Sequence, residues 1–312
     1  MKIENPFHQG EIEVQEMLGE RSTALLNGRL YEDSVIGPAH KFLSQMFFFI
    51  MSTQNETGEM DITVLLGGAG FITVVENGKN LNFDLKRVQD RSTDPVIKNL
   101  VVGMKIGGLA IDLATRRRLR INGHVKSLSN DDLLIEVDES YPNCPKYIQK
   151  RTITQVDLPE NNHALILDQG DELLAEHIDL ISNADTFFVA SSNPSGGLDA
   201  SHRGGNPGFV KLIDNSTLRI PDYSGNSLYN TFGNLKLNNK AALVFWDFER
   251  ALLLHLTGEA RLDFSGIDPH EETGGTGRWW EFSPKKWTIR SVSKSFLLSA
   301  PEYSPFNPTE KV

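Results

Sequence analysis

Hydrophobic residues in this chain fall in short runs that are typical of β-strands. Each run is apolar or rich in β-branched residues and is bounded by Gly, Asn or Ser, which predicts strands joined by tight turns. The predicted strands form two groups: 47–52, 70–76, 108–113 and 118–125 in the first, and 187–191, 209–213, 242–248 and 252–262 in the second.

Helices are predicted around and within these groups. Amphipathic patterns over 11–27 and 171–183 place apolar residues on one side of a helix. Asp94-Pro95 supplies an N-cap and a first-turn proline for a helix over 95–103, and 226–237 is its counterpart. Short antiparallel strands interrupted by one helix favour a small barrel over a parallel sheet. The sequence therefore predicts a mostly β (α+β) chain with flanking helices.

The two groups resemble each other in order and spacing. Residues 61–71 align without gaps on 199–209 at an offset of 138, and Gly123 matches Gly258 at an offset of 135. A nearly constant offset predicts an internal duplication. The predicted organisation is an N-terminal helical segment (1–45), a first barrel (46–140), a helical connector (141–184), a second barrel (185–265) and a C-terminal extension (266–312).

The composition excludes several classes of protein. The 312 residues, of which 39% are hydrophobic and 23% charged, are typical of a globular chain with a proper core. A net charge of -10 argues against a general nucleic-acid binder. Cys144 is the only cysteine, so an internal disulfide and a cysteine zinc cage are excluded. The apolar stretch at 46–51 is too short to cross a bilayer and no signal peptide is recognised, so a cytoplasmic protein is expected.

The two copies differ in polarity at one segment. The first copy has Thr63-Val64-Leu65-Leu66 where the second has Ser201-His202-Arg203-Gly204, and only the second continues into a polar loop at 221–227 before its helix. A hydroxyl, an imidazole and a guanidinium near a helix N-terminus can hold a phosphate. A plain turn with a solvated Arg203 explains the same residues equally well.

Three stretches of the second copy together resemble the flavin-nucleotide-binding proteins related to pyridoxamine 5'-phosphate oxidase. They are Ser-His-Arg-Gly-Gly-Asn-Pro-Gly-Phe-Val at 201–210, Ile-Pro-Asp-Tyr-Ser-Gly-Asn at 220–226 and Thr-Phe-Gly-Asn-Leu at 231–235. The resemblance continues at 7–11, 118–123 and 143–149, and so covers nearly the full chain. It implies tandem split β-barrels that bind FMN in a groove between two barrels, usually across the interface of a homodimer.

The resemblance also implies a set of cofactor-binding residues. The segment Gly208, Phe209, Val210 and Lys211 would run beside the isoalloxazine ring, and the phosphate would be bounded by Ser201, His202, Arg203, Asp222, Ser224, Asn226 and Ser227. Unlike the oxidase, this chain has no cation between Tyr223 and Asn230, so Arg203, Lys211 and the helix N-terminus would have to neutralise the phosphate. The first copy is expected to be a degenerate barrel without a flavin of its own.

Other polar or aromatic clusters carry weaker signals. The run from Arg116 to Arg120 is more typical of a solvated hairpin than of residues that reach across to the cofactor. Cys144 is interpreted as a structural thiol, and no spacing predicts a metal site. Trp279-Trp280 fits a lid over the flavin and the packing of a C-terminal segment equally well.

The function implied by the resemblance is an FMN-dependent oxidoreductase. The cofactor would perform the redox chemistry, so no catalytic side chain is assigned, and the small-molecule substrate or nicotinamide electron donor stays unidentified. The alternative is a flavin-binding protein without turnover, such as an electron-transfer partner, a sensor or a flavin reservoir. A structural module whose flavin site has decayed is a third interpretation, and the missing loop cations favour it.

Overall fold

The computed structural model describes residues 3, 5–89, 91–155, 165–214, 216–294 and 296–309. Strands make up 41% of it and helices 17%, which confirms the prediction of a mostly β chain with some helices. No helix in these ranges is both long enough and apolar enough to cross a membrane.

The helices are short, and each strand group contains one of them, whereas the others precede or connect the groups. They are α1 (Gln9–Met17), α2 (Arg21–Gly28), α3 (Gly37–Ser44), α4 (Pro95–Asn99), α5 (Ala175–Asn183) and α6 (Asn230–Leu237). The single helix predicted over 11–27 is wrong, because Gly19 adopts a φ of 70° and separates α1 from α2. The helix predicted from 226 begins only at Asn230, because Ser227 and Tyr229 both have a φ of 60°.

The first strand group forms a seven-stranded antiparallel sheet. Its strands are β1 (Phe48–Gln54), β2 (Met60–Leu66), β3 (Ile72–Val75), β4 (Asn80–Asp84), β5 (Lys105–Asp112), β6 (Arg117–Leu128) and β7 (Asp132–Pro142). They lie in the order β2-β1-β5-β6-β7-β4-β3, and every strand contributes to one apolar core. We call this unit the first barrel.

The second group repeats this topology. After β8 (Ile153–Gln155) and β9 (Ile166–Gly170), the strands are β10 (Thr186–Ser192), β11 (Leu198–Gly204), β12 (Lys211–Leu212), β13 (Leu218–Pro221), β14 (Lys240–Asp247), β15 (Leu252–Asp263), β16 (Trp279–Ser291) and β17 (Phe296–Leu298). The order β11-β10-β14-β15-β16-β13-β12 is the order of the first barrel with each strand replaced by its counterpart. We call β10 to β16 the second barrel.

The equivalence of the barrels extends to a bulge. The pairing of β6 with β7 shifts register at Gly123, and the pairing of β15 with β16 shifts at Gly258. A Cβ added at Gly123 would lie 2.0 Å from the carbonyl oxygen of Glu136, and one at Gly258 would lie 2.2 Å from that of Ser283. Both bulges therefore require glycine. This shared detail supports the duplication, which itself stays a prediction.

The barrels pack against each other through the outer faces of equivalent strands. In β1, Phe49 points into the core of the first barrel, whereas Phe48 and Ile50 point into a cluster shared with Phe188 and Ala190 of β10. Because side chains alternate along a strand, β1 is buried on both faces. This explains why its sequence is a continuous apolar run rather than an alternating one.

Two predicted boundaries need correction. The second barrel does not end at residue 265, because β16 pairs with both β15 and β13 and completes the sheet. Trp279 and Trp280 lie on β16 with 3% and 0% of their surface exposed, so they belong to the barrel wall and do not form a lid. The predicted helical connector over 141–184 contains the strands β8 and β9 as well as α5, and residues 156–164 lie outside the described ranges.

Candidate functional site

A cleft lies where the first barrel meets the edge of the second. One wall is formed by β6 and by the segment 143–147 that follows β7, and the other by β11. The loop 221–227 and the start of α6 close its end. We call this the main cleft.

The arginine run at the start of β6 divides between solvent and the main cleft. Leu119 and Ile121 point into the first core, so the alternation of the strand directs Arg118 and Arg120 outward to the second barrel, where both line the cleft. Arg117 is exposed at the hairpin. The interpretation of the whole run as a solvated hairpin is therefore wrong for Arg118 and Arg120.

Arg120 is held in place by the second barrel. Its side chain is 4% exposed, and its Nη1 lies 2.6 Å from Oδ1 of Asp199. Its other terminal nitrogen donates to the hydroxyl of Ser201, which also accepts from Thr231 on α6 at 3.1 Å. Asn122 donates to Asp199 at 2.9 Å. These bonds hold the two walls of the cleft, β6 and β11, and the first turn of α6 together.

The centre of the cleft holds more positive charge than its neighbours neutralise. Burial, with Arg203 nearby, lowers the pKa of Arg118 to about 9. Burial also lowers the pKa of Arg203 in spite of Asp222, and it lowers the pKa of His202 well below the usual range, with Arg118 and Arg203 adding to the effect. His202 is therefore neutral at neutral pH. Crowded guanidinium groups of this kind favour the binding of an anion.

Two buried nitrogen atoms of β11 are without a hydrogen-bond partner among the described residues. They are Nε of Arg203 and Nε2 of His202, and both side chains line the cleft. Nε of Arg120 is in the same condition. Since buried polar groups in folded proteins are nearly always paired, atoms left without a partner indicate a place for a ligand or for ordered water.

An ion pair between Arg278 and Asp222 lies at the end of the cleft. Nε of Arg278 donates to Oδ2 of Asp222 at 2.8 Å, and Nη1 of Arg278 lies 3.3 Å from Glu20. The hydroxyl of Thr276 donates to the backbone oxygen of Asp222 at 2.6 Å. Asp222 is thus a fixed part of the wall.

The first turn of α6 faces the cleft without a side-chain cap. The residue before the helix, Tyr229, has left-handed backbone angles and makes no capping hydrogen bond with its side chain. Asn230, Thr231 and Phe232 of this turn line the cleft. The free N–H groups and the helix dipole at such a start favour a bound anion.

Aromatic side chains form the mouth of the cleft. The rings of Tyr147 and Tyr223 are 4.8 Å apart, and the hydroxyl of Tyr147 donates to the backbone oxygen of Ser224 at 2.9 Å. A Cβ added at Gly204 would lie 2.1 Å from the carbonyl oxygen of Tyr147, so the glycine at the end of β11 lets this segment approach.

The structure brings most of the predicted site residues together. Those that line the main cleft are Ser201, His202, Arg203, Phe209, Asp222, Asn226 and Ser227. Gly208, Val210, Lys211 and Ser224 do not line it. The strand predicted over 208–211 is a turn followed by the two-residue β12, because Gly208 has a φ of 90° and Val210 is buried in the second core. Lys211 pairs with Glu272 rather than facing the cleft.

The residues that sequence reasoning missed come from distant parts of the chain. They are Arg118, Arg120, Asn143, Cys144, Lys146, Tyr147, Tyr229 to Phe232 and Arg278. The alternation of Arg118, Leu119, Arg120 and Ile121 was a usable signal for the first two. Arg278 had no such signal, since its partner Asp222 lies 56 residues away along the chain. No group of three or more His, Cys, Asp and Glu side chains in the described part of the chain could hold a metal ion.

In the equivalent groove, the protein's own side chains occupy the position that faces the helix start. A cavity lies beside that position and is lined by Ile62, Pro95, His255 and Arg290 among others. There β15 lies beside β2, so that His255 corresponds to Arg120, Thr63 to Ser201 and Asp94 to Tyr229. Arg290 of β16 donates to Oδ2 of Asp94 and to the hydroxyl of Thr63, both at 2.8 Å. The Arg290 and Asp94 side chains are 2% and 3% exposed. We call this the plugged groove.

The carboxylate of Asp94 also caps the helix of the plugged groove. Its Oδ1 accepts from the backbone N–H groups of Val96 at 2.9 Å and of Ile97 at 3.1 Å, at the start of α4. Nε of Arg290 donates to Nε2 of His255 at 3.1 Å, and Nδ1 of His255 contacts the backbone oxygen of Ile62 at 2.9 Å. An internal carboxylate therefore occupies the place that stays open at the start of α6.

Comparison with known proteins finds similarity only at the level of structure. No protein-family model matches the sequence, and no curated protein matches it. Among solved structures, a protein related to general stress protein 26 from Clostridium acetobutylicum, of the pyridoxinephosphate oxidase family, is 14% identical. It matches 40% of this chain and 91% of its own, with a TM-score of 0.28.

Two further matches are of the same kind. HupZ of Group A Streptococcus is 24% identical, with 39% of this chain and 90% of that chain covered and a TM-score of 0.27. The FAD binding protein from Mycobacterium smegmatis is 14% identical, with 39% and 97% covered and a TM-score of 0.25. The matched structures include pyridoxamine 5'-phosphate oxidase-like proteins. At these values the function of the cleft has to follow from its own residues.

Proposed function

We propose that the main cleft binds FMN, with the phosphate at the start of α6 and the isoalloxazine ring between the two barrels. The observation that carries this proposal is the contrast with the plugged groove. There a carboxylate is held by a guanidinium, a hydroxyl and two helix N–H groups. The main cleft has the matching hydroxyl of Ser201 and the matching helix start, but its N-cap residue Tyr229 supplies no carboxylate and makes no side-chain capping hydrogen bond. An external phosphate fits that place.

The charge of the cleft supports a phosphate monoester. Arg120 and Arg278 are each paired with an aspartate. Among the described residues, Arg118 donates to the backbone oxygens of Cys144 and His202 and forms no ion pair with a carboxylate, and Arg203 has a buried nitrogen without a partner. A phosphate monoester carries a charge of about -1.5 to -2 at pH 7, which matches two guanidinium groups. The cations absent from the loop 221–227 are thus replaced by arginines on β6 and β11.

The remaining walls suit a planar heterocycle. Tyr147, Tyr223 and Phe209 present aromatic rings to the cleft, and the neutral His202 offers a nitrogen without a partner. When bound, FMN supplies hydride or single-electron transfer. The residues of this chain would bind the phosphate, orient the ring between two rigid walls and keep water from it.

The proposed activity is that of an FMN-dependent oxidoreductase that acts on a small molecule or accepts electrons from a nicotinamide. The alternative is a flavin-binding protein without turnover, and one observation favours it. Asp222, the carboxylate that lines the cleft, is committed to Arg278 and is not placed to exchange protons with a substrate. Reduction by NADH or NADPH with oxygen or an added acceptor separates the two functions.

We further propose that each chain binds one FMN, since Arg290 and Asp94 occupy the second groove. The first barrel, predicted to be degenerate, then completes the main cleft with Arg118 and Arg120. A homodimer is still expected from the resemblance. It is not needed to build this cleft, because both walls belong to one chain.

The test is a titration with FMN and with riboflavin, which lacks the phosphate, after recording the visible spectrum and the mass of any released compound. We expect one FMN per chain. Arg203→Ala should weaken FMN binding at least tenfold, which is about 1.4 kcal/mol, and leave riboflavin binding unchanged. Arg117→Ala, a neighbouring exposed arginine, is the matched control. A colourless protein that binds no added FMN would contradict the proposal.

A further inference from the structure

The C-terminal segment runs back from the second barrel to the connector beside the main cleft. β17 pairs with β8, and Lys150 and Glu302 exchange backbone hydrogen bonds of 2.9 Å in each direction. After this pairing the chain turns at Ser304, which is 5% exposed, and continues to the end of the described residues at 309. The segment lines no part of the main cleft itself.

Asn307 of this segment joins the two loops that bound the cleft. Its Nδ2 donates to Oε1 of Gln149 at 3.0 Å and to Oδ1 of Asn206 at 2.8 Å. Its Oδ1 accepts from Gln149 at 3.3 Å. Asn206 in turn donates to the backbone oxygen of Pro308 at 3.3 Å. Asn307 is 9% exposed and uses both its donor and its acceptor groups in this junction.

Each loop reaches the cleft within two residues of the junction. Nε2 of Gln149, which is fully buried, donates to the carbonyl oxygen of Tyr147 at 3.0 Å, and the ring of Tyr147 lines the cleft. Tyr147 has a φ of 64°, so its conformation depends on such contacts. On the other side, Asn206 lies in the turn that follows Arg203 and Gly204 of β11. The neighbouring Phe306 ring lies 5.4 Å from Nζ of Lys146, a further residue of the cleft.

We infer that Asn307 is a positioning residue of the main cleft, which sets the distance between the Tyr147 loop and the end of β11. Its effect on FMN rests on the proposed function. Because the two loops belong to different barrels, no strand pairing within either barrel fixes this distance. The amide of Asn307 supplies the link through three hydrogen bonds. Arg118 links the same two segments through the backbone oxygens of Cys144 and His202. Without Asn307, Tyr147 and Arg203 lose the second link that holds them at a fixed distance.

The experiment compares Asn307→Ala with Leu297→Ala in the full chain. Leu297 lies in the same segment and is 56% exposed, so it is a matched control for loss of side-chain atoms. The readouts are the FMN dissociation constant, the thermal midpoint, and hydrogen exchange of the backbone over 143–149 and 204–210 in protein without flavin. We expect Asn307→Ala to raise exchange in both loops and to raise the dissociation constant about tenfold. Leu297→Ala should change neither.

The outcomes are separable. Unchanged exchange in both loops of Asn307→Ala, or an equal rise in Leu297→Ala, would overturn the inference. If the wild-type protein binds no FMN, the proposed function fails, whereas the exchange result still decides whether Asn307 holds the loops. Asn206→Ala gives a second route in case Asn307→Ala fails to fold. Hydrogen exchange in Asn206→Ala should rise in the same two loops. The variant that combines Asn206→Ala with Asn307→Ala should exchange no faster than either single variant, because both substitutions remove the same junction.

Discussion

The main cleft and the plugged groove are built from equivalent strands of the two barrels but differ in the charged groups at the helix start. In the plugged groove, the carboxylate of Asp94 meets the guanidinium of Arg290 and the start of α4. In the main cleft, the start of α6 has no side-chain cap, and Arg203 and His202 have buried nitrogens without a partner in the described part of the chain. At the start of α4 a carboxylate of the chain supplies the cap, whereas the start of α6 has no side-chain cap.

The difference teaches that stabilisation and binding are alternative uses of the same position. A carboxylate supplied by the chain satisfies the helix start and the guanidinium permanently. Where that carboxylate is missing, the N–H groups of the helix start and the guanidinium lack an internal acceptor, and the position is open to a phosphate. The replacement of Asp94 by Tyr229 at the equivalent position, together with Arg118 and Arg203, distinguishes the second barrel from the first.

The largest effect on this comparison is expected from removing the plug. Arg290→Met leaves the buried carboxylate of Asp94 without its cation and should lower the free energy of unfolding by about 3–5 kcal/mol in urea denaturation. FMN affinity should not change. Arg203→Met in the main cleft, where the guanidinium has no carboxylate bound to it, should alter stability by less than about 1 kcal/mol. If Arg290→Met and Arg203→Met lower the free energy of unfolding equally, the proposed difference between the two grooves is wrong.

The plug should also make the fold sensitive to acid. Burial and Arg290 lower the pKa of His255 to about 3. Nε2 of His255 accepts a hydrogen bond from Arg290, so protonation of Nε2 would break this bond and place two cations side by side. The unfolded chain binds this proton near pH 6.5, so stability should fall as the pH drops from 6.5 toward 3. Between pH 7 and pH 4, wild-type protein should lose roughly 3 kcal/mol more than His255→Gln in urea titrations. Parallel pH curves for the two proteins would argue against this assignment.

A smaller effect tests what the barrels share. Gly123→Ala and Gly258→Ala each force a Cβ toward a carbonyl oxygen of the neighbouring strand. Both should lower the free energy of unfolding by about 1–3 kcal/mol. Thermal or urea unfolding of the two variants measures this directly. A large loss in one and none in the other would contradict the structural equivalence of the bulges.

The smallest effect concerns the open helix start. Tyr229→Asp introduces a carboxylate next to the first turn of α6, as Asp94 does at α4, and should weaken FMN binding about tenfold, since it competes with the phosphate. Tyr229→Asn removes the same ring without adding charge and is the matched control. Fluorescence titration with FMN measures both. If Tyr229→Asn weakens binding as much as Tyr229→Asp, the ring rather than the charge is responsible.

The sequence predicts β1, β3, β5, β6, β10, β14 and β15 because each is a short apolar or β-branched run. It does not predict β2, β4, β7, β11, β13 and β16 as strands. It predicts the polar wall of β11 because Ser201, His202 and Arg203 interrupt a pattern that is apolar in the first copy. It fails for Lys211, whose partner Glu272 lies far along the chain. For the same reason Arg278 and Asn307 carry no local signal, since their role depends on contacts that only the folded chain creates.

The first-barrel arginines were a different kind of failure. The pattern of Arg118, Leu119, Arg120 and Ile121 alternates as a strand requires, but four arginines within five residues are more typical of a solvated hairpin. In the structure the outer face of β6 meets the second barrel rather than water. The face that a strand presents to another barrel cannot be distinguished from a solvated face until the packing of the barrels is known.

The union of both barrels in one chain has a consequence for how such sites change over time. In a symmetric dimer of single barrels, one codon specifies the same residue in both grooves, so any substitution that fills one fills the other. Here Asp94 and Tyr229 are separate positions in one gene product. A substitution in one groove can therefore occur without changing the other. The covalent chain also keeps the two barrels together, so the main cleft keeps both walls when the protein is diluted.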